Sequence, residues 1–189
     1  MDPQQICKYL WSGFFLAWFI WAIRTKPIQK REPVSTQLLY IVVTTAAFYL
    51  VFAARIRGEW LHIVLFPARE WVAIAGVVVT AAGLGFAIWA RVYLGGNWSG
   101  AVSVKVGHEL IRSGPYRWVR HPIYTGIILA LLGTALEIDQ ARGLVAVILL
   151  YLGFKIKSRI EERVMRQAFG AEYDEYSRST GAIVPRLHF

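Results

Sequence analysis

Residues Gly107 to Gly126 read GHELIRSGPYRWVRHPIYTG and lie between long apolar runs. This short connection holds arginines, two histidines, a glutamate and two tyrosines. Such groups are costly near a lipid bilayer unless they bind a ligand or one another. The stretch therefore indicates apolar helices on both sides of a polar segment, and we expect the activity of the protein to reside in that segment.

The composition of the whole chain indicates a membrane protein. Of 189 residues, 56% are hydrophobic and 17% are charged, whereas soluble domains carry about 25% charged residues. The length fits one domain. The net charge of +9 fits anionic lipid headgroups better than nucleic acid, because the aromatic residues lie in apolar runs rather than among the basic ones. The single cysteine, Cys7, rules out an internal disulfide and a cysteine-based metal cluster.

Five apolar stretches predict five transmembrane helices. They cover residues 10–23, 38–54, 71–93, 123–136 and 144–154, and the last continues without a breaker into a charged helix. The first stretch lacks the basic start and the cleavage site of a signal peptide, so we interpret it as a retained anchor. Residues 59–69 are too short to span and are predicted to lie in the membrane interface.

The fourth and fifth stretches are short, and residues 137–142 between them predict the tight turn of a helical hairpin. Small residues recur every four positions on the fourth helix, at Gly126, Ala130 and Thr134. This spacing predicts a close-packed contact within the hairpin. The alternative is that small residues recur by chance in an apolar run.

The distribution of basic residues predicts the orientation. With five spans, 16 of the 21 Lys and Arg residues fall on the side of the 24–34 loop, the 91–120 loop and the C-terminal tail. The positive-inside rule places that side in the cytoplasm and the N-terminus outside. The polar segments 95–122 and 155–189 then share the cytoplasmic side, where they can form one pocket beside a wall of apolar helices.

Familiar catalytic signatures are missing from the sequence. It has no glycine-rich phosphate loop after a strand, no HExxH zinc motif and no nucleophile elbow, and we expect no metal. His121 and Tyr124 share a face at the start of the fourth helix, where Pro122 suits the first turn. They are candidates for a polar pocket. The alternative is an interfacial helix start with Tyr124 in the aromatic belt.

Glu161 and Glu162 lie on the charged extension of the fifth helix. Lys157–Glu161 and Glu162–Arg166 both have i,i+4 spacing, which favours a solvated, salt-bridged surface. In the functional interpretation, one of the two carboxylates faces the 107–126 segment and receives a cationic or hydroxyl-bearing ligand. Phe169 to Tyr176 (FGAEYDEY) predict a glycine-broken turn and a short amphipathic helix that packs under the site.

Taken together, the 107–126 run, Glu161–Glu162 and FGAEYDEY resemble the isoprenylcysteine carboxyl methyltransferase family. These are integral-membrane methyltransferases related to phospholipid N-methyltransferases. The likeness extends from about Gly95 to the C-terminus. It implies an enzyme that uses S-adenosylmethionine and releases S-adenosylhomocysteine. It also divides the chain into N-terminal membrane helices (1–94, three spans and the interfacial segment) and a catalytic region (95–189).

Position by position, the resemblance implies the residues of the site. The cofactor would contact His108, Glu109, Leu110, Ile111, Tyr116, His121, Pro122, Ile123, Tyr124 and Glu161. The family has a substrate-binding arginine four residues before that glutamate, and Lys157 stands there in this chain. A lysine keeps the charge but lacks the fork that holds a carboxylate at two points. Catalytic roles are implied for Lys157 and Arg120, and substrate contacts for Lys157 and Arg159.

The sequence and the resemblance together predict an all-α integral membrane protein with about five transmembrane helices and a cytoplasmic cofactor pocket. The expected reaction is methyl transfer to a lipophilic or lipid acceptor, by family default the carboxylate of a prenylcysteine-like substrate. N-methylation of a phospholipid or a small lipophilic amine is the alternative. Nicotinamide-dependent membrane sterol reductases, which have a similar RHPxY region, are less favoured because they are longer. We expect contacts with membrane lipids and none with nucleic acid, in the inner membrane of a prokaryote or the endoplasmic reticulum of a eukaryote.

Overall fold

A computed structural model describes residues 2–22, 28–31, 34–53, 56–66, 70–98, 103–105 and 109–186. The regular elements in these ranges are α1 (Pro3–Ala22), β1 (Ile28–Arg31), α2 (Val34–Phe52), α3 (Glu70–Leu94), β2 (Ser103–Lys105), α4 (Pro122–Ile138), α5 (Ala141–Phe169) and α6 (Ala171–Ser179). Short 3-10 turns lie at Glu59–His62, Gly95–Asn97 and Gly114–Arg117. The five predicted apolar helices are confirmed as helices, and α5 includes the charged extension. The antiparallel ribbon of β1 and β2 was not predicted.

One helix in the described ranges, Glu70–Asn97, is both long and apolar enough to cross a bilayer, with a mean hydropathy of 2.1. Residues 37–52 and 122–138 form shorter apolar helices. Large apolar side chains on these helices and on α1 are exposed, among them Phe19, Val42 and Val78. An exposed apolar surface of this extent is typical of helices that face lipid.

The closest helix contact in the described structure is between α3 and α4. A Cβ atom added at Gly83 would lie 2.4 Å from the backbone nitrogen of Ala130 and 2.6 Å from the carbonyl oxygen of Gly126. The small residues of α4 therefore serve a close approach, as predicted. Their partner is α3 and not α5, so the predicted contact within the hairpin is wrong. The reason is that α3 supplies matching small residues, which let the two backbones meet.

A small polar group joins α1 to this helix pair. Trp11 donates its indole N–H to the hydroxyl of Thr134 at 2.9 Å, and that hydroxyl lies 3.2 Å from the hydroxyl of Thr80. Both threonines are buried. Because a buried polar group is costly without a partner, these bonds fix the position of α1 on α3 and α4.

The loops meet in pairs at the two ends of the helices. The loop after α1 and the loop after α3 pair as β1 and β2 at one end. At the other end, the segment before α3 contacts the α4–α5 turn: Ala141 donates its backbone N–H to Ile63, and Phe66 donates to the carboxylate of Asp139, each at 3.0 Å. The predicted turn is confirmed, with Asp139 in the left-handed region at φ 47°. Consecutive helices therefore run up and down.

The charged extension of the chain folds back on itself at Gly170. Its φ of +53° is a left-handed value that glycine adopts without steric cost. The break lets α6 return along α5, and Tyr173 and Tyr176 of α6 become buried. The predicted glycine-broken turn and short helix are confirmed.

Candidate active site

A cleft opens where α4 begins, at the end of the helices that carries β1 and β2. It encloses about 840 Å³, part of which is open to solvent. Its walls are formed by Leu94, Asn97, Trp98, Glu109, Leu110, Ile111, Tyr116, Arg120, His121, Pro122, Ile123, Tyr124, Glu161, Met165, Tyr173 and Tyr176.

Nine of the ten residues expected to contact a cofactor line this one cleft. The tenth, His108, lies outside the described residues. Residues 109–112 form neither helix nor strand, so regular secondary structure does not use their backbone polar groups. These groups can therefore be offered to a ligand. The structure thus brings nine of the predicted residues into one cleft, and their roles in binding a cofactor remain predictions.

The start of α4 holds His121 and Tyr124 in a fixed arrangement. Pro122 occupies the first helical position, where its missing N–H costs little. The rings of His121 and Tyr124 stack with centroids 5.4 Å apart and planes within 5°. The chain near the C-terminus supports them from behind, since Arg120 and His121 donate their backbone N–H groups to Gly181 and Ala182 at 2.9 Å.

Glu161 presents a carboxylate to the cleft. Tyr124 donates its hydroxyl to one oxygen at 2.6 Å, and Nδ1 of His121 lies 3.2 Å from the other. A carboxylate has about four acceptor positions, so each oxygen retains capacity for a ligand donor. The side chain is 20% exposed, which leaves it reachable from the cleft.

Glu162 makes a different set of contacts. Arg120 donates to its Oε1 from Nε at 2.9 Å and from Nη2 at 2.6 Å. Arg166 approaches its other oxygen at 3.8 Å, so the predicted i,i+4 contact is confirmed. The predicted solvated surface is wrong for Glu162, whose side chain is only 11% exposed. The reason is that Arg120, on the segment before α4, covers it.

Arg120 also forms hydrogen bonds with the backbone of the C-terminal segment. Its Nη1 donates to the carbonyl of Ser177 at 3.0 Å and to the carbonyl of Thr180. Its guanidinium is therefore occupied by Glu162 and two backbone carbonyls, although the residue lines the cleft. Such contacts are typical of a residue that positions its neighbours rather than one that contacts the reacting atoms.

The buried charges of this cluster stabilise one another. Burial lowers the pKa of His121, but its bonds to Glu161 and Glu162 outweigh that effect, so the pKa is raised overall. Burial likewise raises the pKa of Glu161, and the hydrogen bond from His121 and the charge of Lys157 outweigh it, so that pKa is lowered. The pKa of Glu162 is lowered in the same way by His121 and Arg120. The three pKa shifts therefore all favour the charged forms of these side chains.

Aromatic residues form much of the remaining wall. Tyr176 donates its hydroxyl to the carbonyl of Tyr116 at 2.6 Å, which joins α6 to the segment before α4. Trp98 is held on the opposite side by Arg91, whose guanidinium lies 4.4 Å from the indole centroid. Burial raises the pKa of Tyr116, Tyr173 and Tyr176, so all three remain neutral. They offer ring faces and hydroxyl groups rather than charge.

Lys157 and Arg159 do not line the cleft. The ammonium of Lys157 lies over the rings of Tyr40 at 4.8 Å and Tyr124 at 5.6 Å. Arg159 is exposed on the surface of α5. Lys157 nevertheless shares the helix face of Glu161, four positions further on, and lies directly behind Tyr124. Arg159 points in another direction, and the substrate contacts of both residues remain predictions.

Sequence analysis missed several residues of the cleft. Leu94, Asn97 and Trp98 come from the end of α3, where no motif marks them. Tyr173 and Tyr176 could have been found, since their i,i+3 spacing places both on one face of α6. Met165 carries no signal of its own, and it follows Glu161 by one helical turn.

Comparison with known proteins identifies the family. The sequence profile of the phospholipid methyltransferase family matches residues 71–172, which is more than half of the chain. The chain belongs to this family. The matched region of this phospholipid methyltransferase homologue contains α3, α4, α5 and every residue of the 121–124 and 161–162 groups.

Individual relatives of the chain carry different names. The protein-S-isoprenylcysteine O-methyltransferase of Saccharomyces cerevisiae is 37% identical over 79 residues, 41% of this chain and 33% of that protein. The cobalt-zinc-cadmium resistance protein CzcN of Cupriavidus metallidurans is 30% identical over 150 residues, 78% of this chain and 62% of that protein. The chain thus spans less than two thirds of the length of these relatives.

A solved structure shares the fold. It is that of a eukaryotic intramembrane Ras methyltransferase, an isoprenylcysteine carboxyl methyltransferase, with a TM-score of 0.58 and 24% identity. The likeness covers 80% of this chain and 50% of that one. The expected resemblance to isoprenylcysteine carboxyl methyltransferases is confirmed, and the architecture is that of an integral-membrane methyltransferase.

Proposed function

We propose that this protein is an S-adenosylmethionine-dependent methyltransferase that acts on a lipophilic acceptor at the membrane. One observation carries the proposal: the cleft gathers the 109–111 segment, Tyr116, the 121–124 group and Glu161 into a single wall. Membership of the phospholipid methyltransferase family supports the reaction type.

The groups in the cleft fit the cofactor. Leu94, Leu110 and Ile123 with the neighbouring tyrosine rings provide an apolar surface for an adenine. Glu161 is ionised and retains acceptor capacity, which suits ribose hydroxyls or an ammonium group. The backbone of residues 109–112 adds further polar groups.

When bound, S-adenosylmethionine supplies a methyl group attached to a sulfonium sulfur, and that sulfur is the leaving group of the reaction. The residues of this chain then contribute proximity and orientation, which can supply a large part of a rate enhancement. Tyr124 and His121 fix the carboxylate of Glu161, so that its charge is aligned before a ligand arrives. The apolar and aromatic walls keep water from the reacting atoms.

We propose first that the methyl acceptor is a carboxylate. A carboxylate attacks without losing a proton, and so the cleft needs no general base. An amine acceptor is favoured by one observation, that Lys157 stands in place of a forked arginine and is packed on Tyr40 and Tyr124. Against it, the lowered pKa of Glu161 makes that carboxylate a poor base for a protonated amine.

In the proposed arrangement α1 to α5 cross the membrane and the cleft faces the cytoplasm. The pairing of β1 with β2 supports this arrangement, because it places the two basic loops predicted to be cytoplasmic at the same end. The cofactor then enters from the cytosol, and the acceptor enters sideways from the lipid.

The test is transfer of a labelled methyl group from S-adenosylmethionine by the detergent-solubilised protein. Panels of prenylcysteines, phospholipids and lipophilic amines are offered as acceptors. We expect label in the prenylcysteines, or in an amine panel if the alternative holds. If the cofactor binds and no panel gains label, both acceptor assignments fail.

A further inference from the structure

The lipid-facing side of α5 changes character along its length. Its first three turns expose Leu144, Ile148 and Leu152 at i,i+4 spacing. Lys155 follows Leu152 by three positions and begins a second i,i+4 series with Arg159 and Arg163, and the two arginines are exposed. Residues at this spacing share one side of a helix, so an apolar face passes directly into a row of three basic residues. We call Lys155, Arg159 and Arg163 the basic row.

The basic row has no anionic partner among the described residues. Glu161 and Glu162 point toward His121 and Arg120, and Arg166, one turn further on, is the arginine that pairs with Glu162 and Asp174. Like charges at i,i+4 spacing destabilise a helix. The row is therefore self-repulsive unless an anion from outside the chain lies against it.

The length and the side chains of α5 together locate the row at the surface of a bilayer. With 29 residues, the helix is about 44 Å long at 1.5 Å per residue, which exceeds the thickness of the hydrocarbon core, about 30 Å. The exposed face of α5 changes from apolar to basic between Leu152 and Lys155, and this change marks where the helix leaves the core. Lys155 then lies at the boundary, and Arg159 and Arg163 lie among the headgroups beyond it.

We infer that the basic row of α5 is a docking surface for the headgroups of anionic phospholipids in the membrane. Three observations carry this inference: the continuous apolar face below the row, the missing internal counter-charge, and the position of the row at the boundary. Basic clusters next to a transmembrane helix attract anionic lipids in this way. The inference concerns lipid binding and not methyl transfer, and it requires only that α5 is inserted in a membrane.

The test measures lipid preference in reconstituted vesicles. The purified protein is placed in phosphatidylcholine vesicles that contain a trace of spin-labelled phosphatidylglycerol or spin-labelled phosphatidylcholine, and the motionally restricted fraction of each label is compared. We expect wild-type protein to prefer phosphatidylglycerol. Arg159→Gln with Arg163→Gln should lower that preference roughly fivefold or more.

Two matched variants separate charge from other effects. Arg159→Lys with Arg163→Lys keeps both charges and should retain the preference. Lys8→Gln with Arg57→Gln removes two exposed charges away from the row and should also retain it. The thermal unfolding midpoint of each variant checks that it is folded, and the comparison is made among folded variants.

The inference fails if wild-type protein associates equally with both lipids, or if the glutamine pair at 159 and 163 leaves the preference unchanged. It also fails if inorganic phosphate at equal concentration removes the preference, because the row would then be a site for a soluble anion. The readout needs no cofactor. A protein that binds anionic lipid through this row but transfers no methyl group would contradict the proposed function alone.

Discussion

At the scale of single residues, the adjacent residues Glu161 and Glu162 have different roles. Glu161 faces the cleft and is held by Tyr124 and His121, whereas Glu162 is buried against Arg120. Sequence analysis could predict that one of the pair faces the site, because adjacent positions on a helix point in different directions. It could not predict that Glu162 is buried, because the residue that covers it is 42 positions away.

Replacement of each glutamate in turn by glutamine should distinguish the two roles. We expect Glu161→Gln to weaken binding of S-adenosylhomocysteine about tenfold or more, since a hydrogen bond to a charged group contributes about 1.5–3 kcal/mol. Glu162→Gln should leave binding nearly intact in the folded protein. Calorimetric titration measures both, and equal losses would contradict the assignment of Glu161 as the ligand-facing carboxylate.

Glu162→Gln should instead lower stability. It leaves the guanidinium of Arg120, 10% exposed, without its carboxylate, and removing one partner of a buried ion pair costs about 3 kcal/mol. The thermal unfolding midpoint in detergent measures the effect. Glu175→Gln, at an exposed position on α6, is the control and should leave the midpoint unchanged.

His121 should make the stability depend on pH. Its folded-state pKa lies above the ordinary value of 6.5, so the folded state binds the proton more tightly than the unfolded state. That contribution is complete below about pH 6.5 and is lost as the pH rises through the raised pKa. We expect the unfolding midpoint to fall as the pH rises above about 6.5. His121→Gln should remove the dependence and His62→Gln should keep it; an unchanged slope in His121→Gln would contradict the account.

At the scale of elements, the contact between α3 and α4 forms the centre of the fold. Hydropathy predicted both helices, and the spacing of small residues on α4 predicted a close contact. The choice of partner could not be predicted, because Gly83 and Ala87 on α3 lie in a uniformly apolar run. The β1–β2 ribbon was missed for a similar reason, since neither short strand has a recognisable alternation.

Two glycines on α3 provide a matched test of this contact. Gly83→Ala places a Cβ 2.4 Å from the backbone of Ala130, and such overpacking costs about 1–3 kcal/mol or more. Gly85→Ala, two positions away, meets no atom within 4 Å and should be neutral or slightly stabilising. Thermal unfolding of both variants measures the difference, and equal midpoints would show that α3 and α4 do not meet closely here.

At the scale of the whole molecule, the paired loops place the polar segments at one end of the helices. The count of basic residues could predict that these segments share a side, because the positive-inside rule acts on whole loops. Contacts across the site could not be predicted in this way. Residues 181 and 182 dock behind His121 through backbone hydrogen bonds, and the pattern of side chains in a sequence carries little information about such bonds.

Cysteine labelling should reveal how the protein is oriented in the membrane. In a Cys7→Ala background, Glu175→Cys and Arg57→Cys introduce thiols at exposed positions predicted to lie on opposite sides of the membrane. A membrane-impermeant maleimide should label Arg57→Cys from outside sealed cells and Glu175→Cys only after the membrane is opened. Labelling of both positions from the same side would contradict the proposed arrangement.

The central claim is that the cleft at the start of α4 binds S-adenosylmethionine. Its most direct test is the thermal unfolding midpoint of the wild-type protein in detergent, with S-adenosylhomocysteine or with NADPH added. A ligand at 100 times its Kd stabilises the folded state by about 2.7 kcal/mol. We predict that S-adenosylhomocysteine raises the midpoint and that NADPH does not. A rise with NADPH alone, or with neither ligand, would contradict the claim.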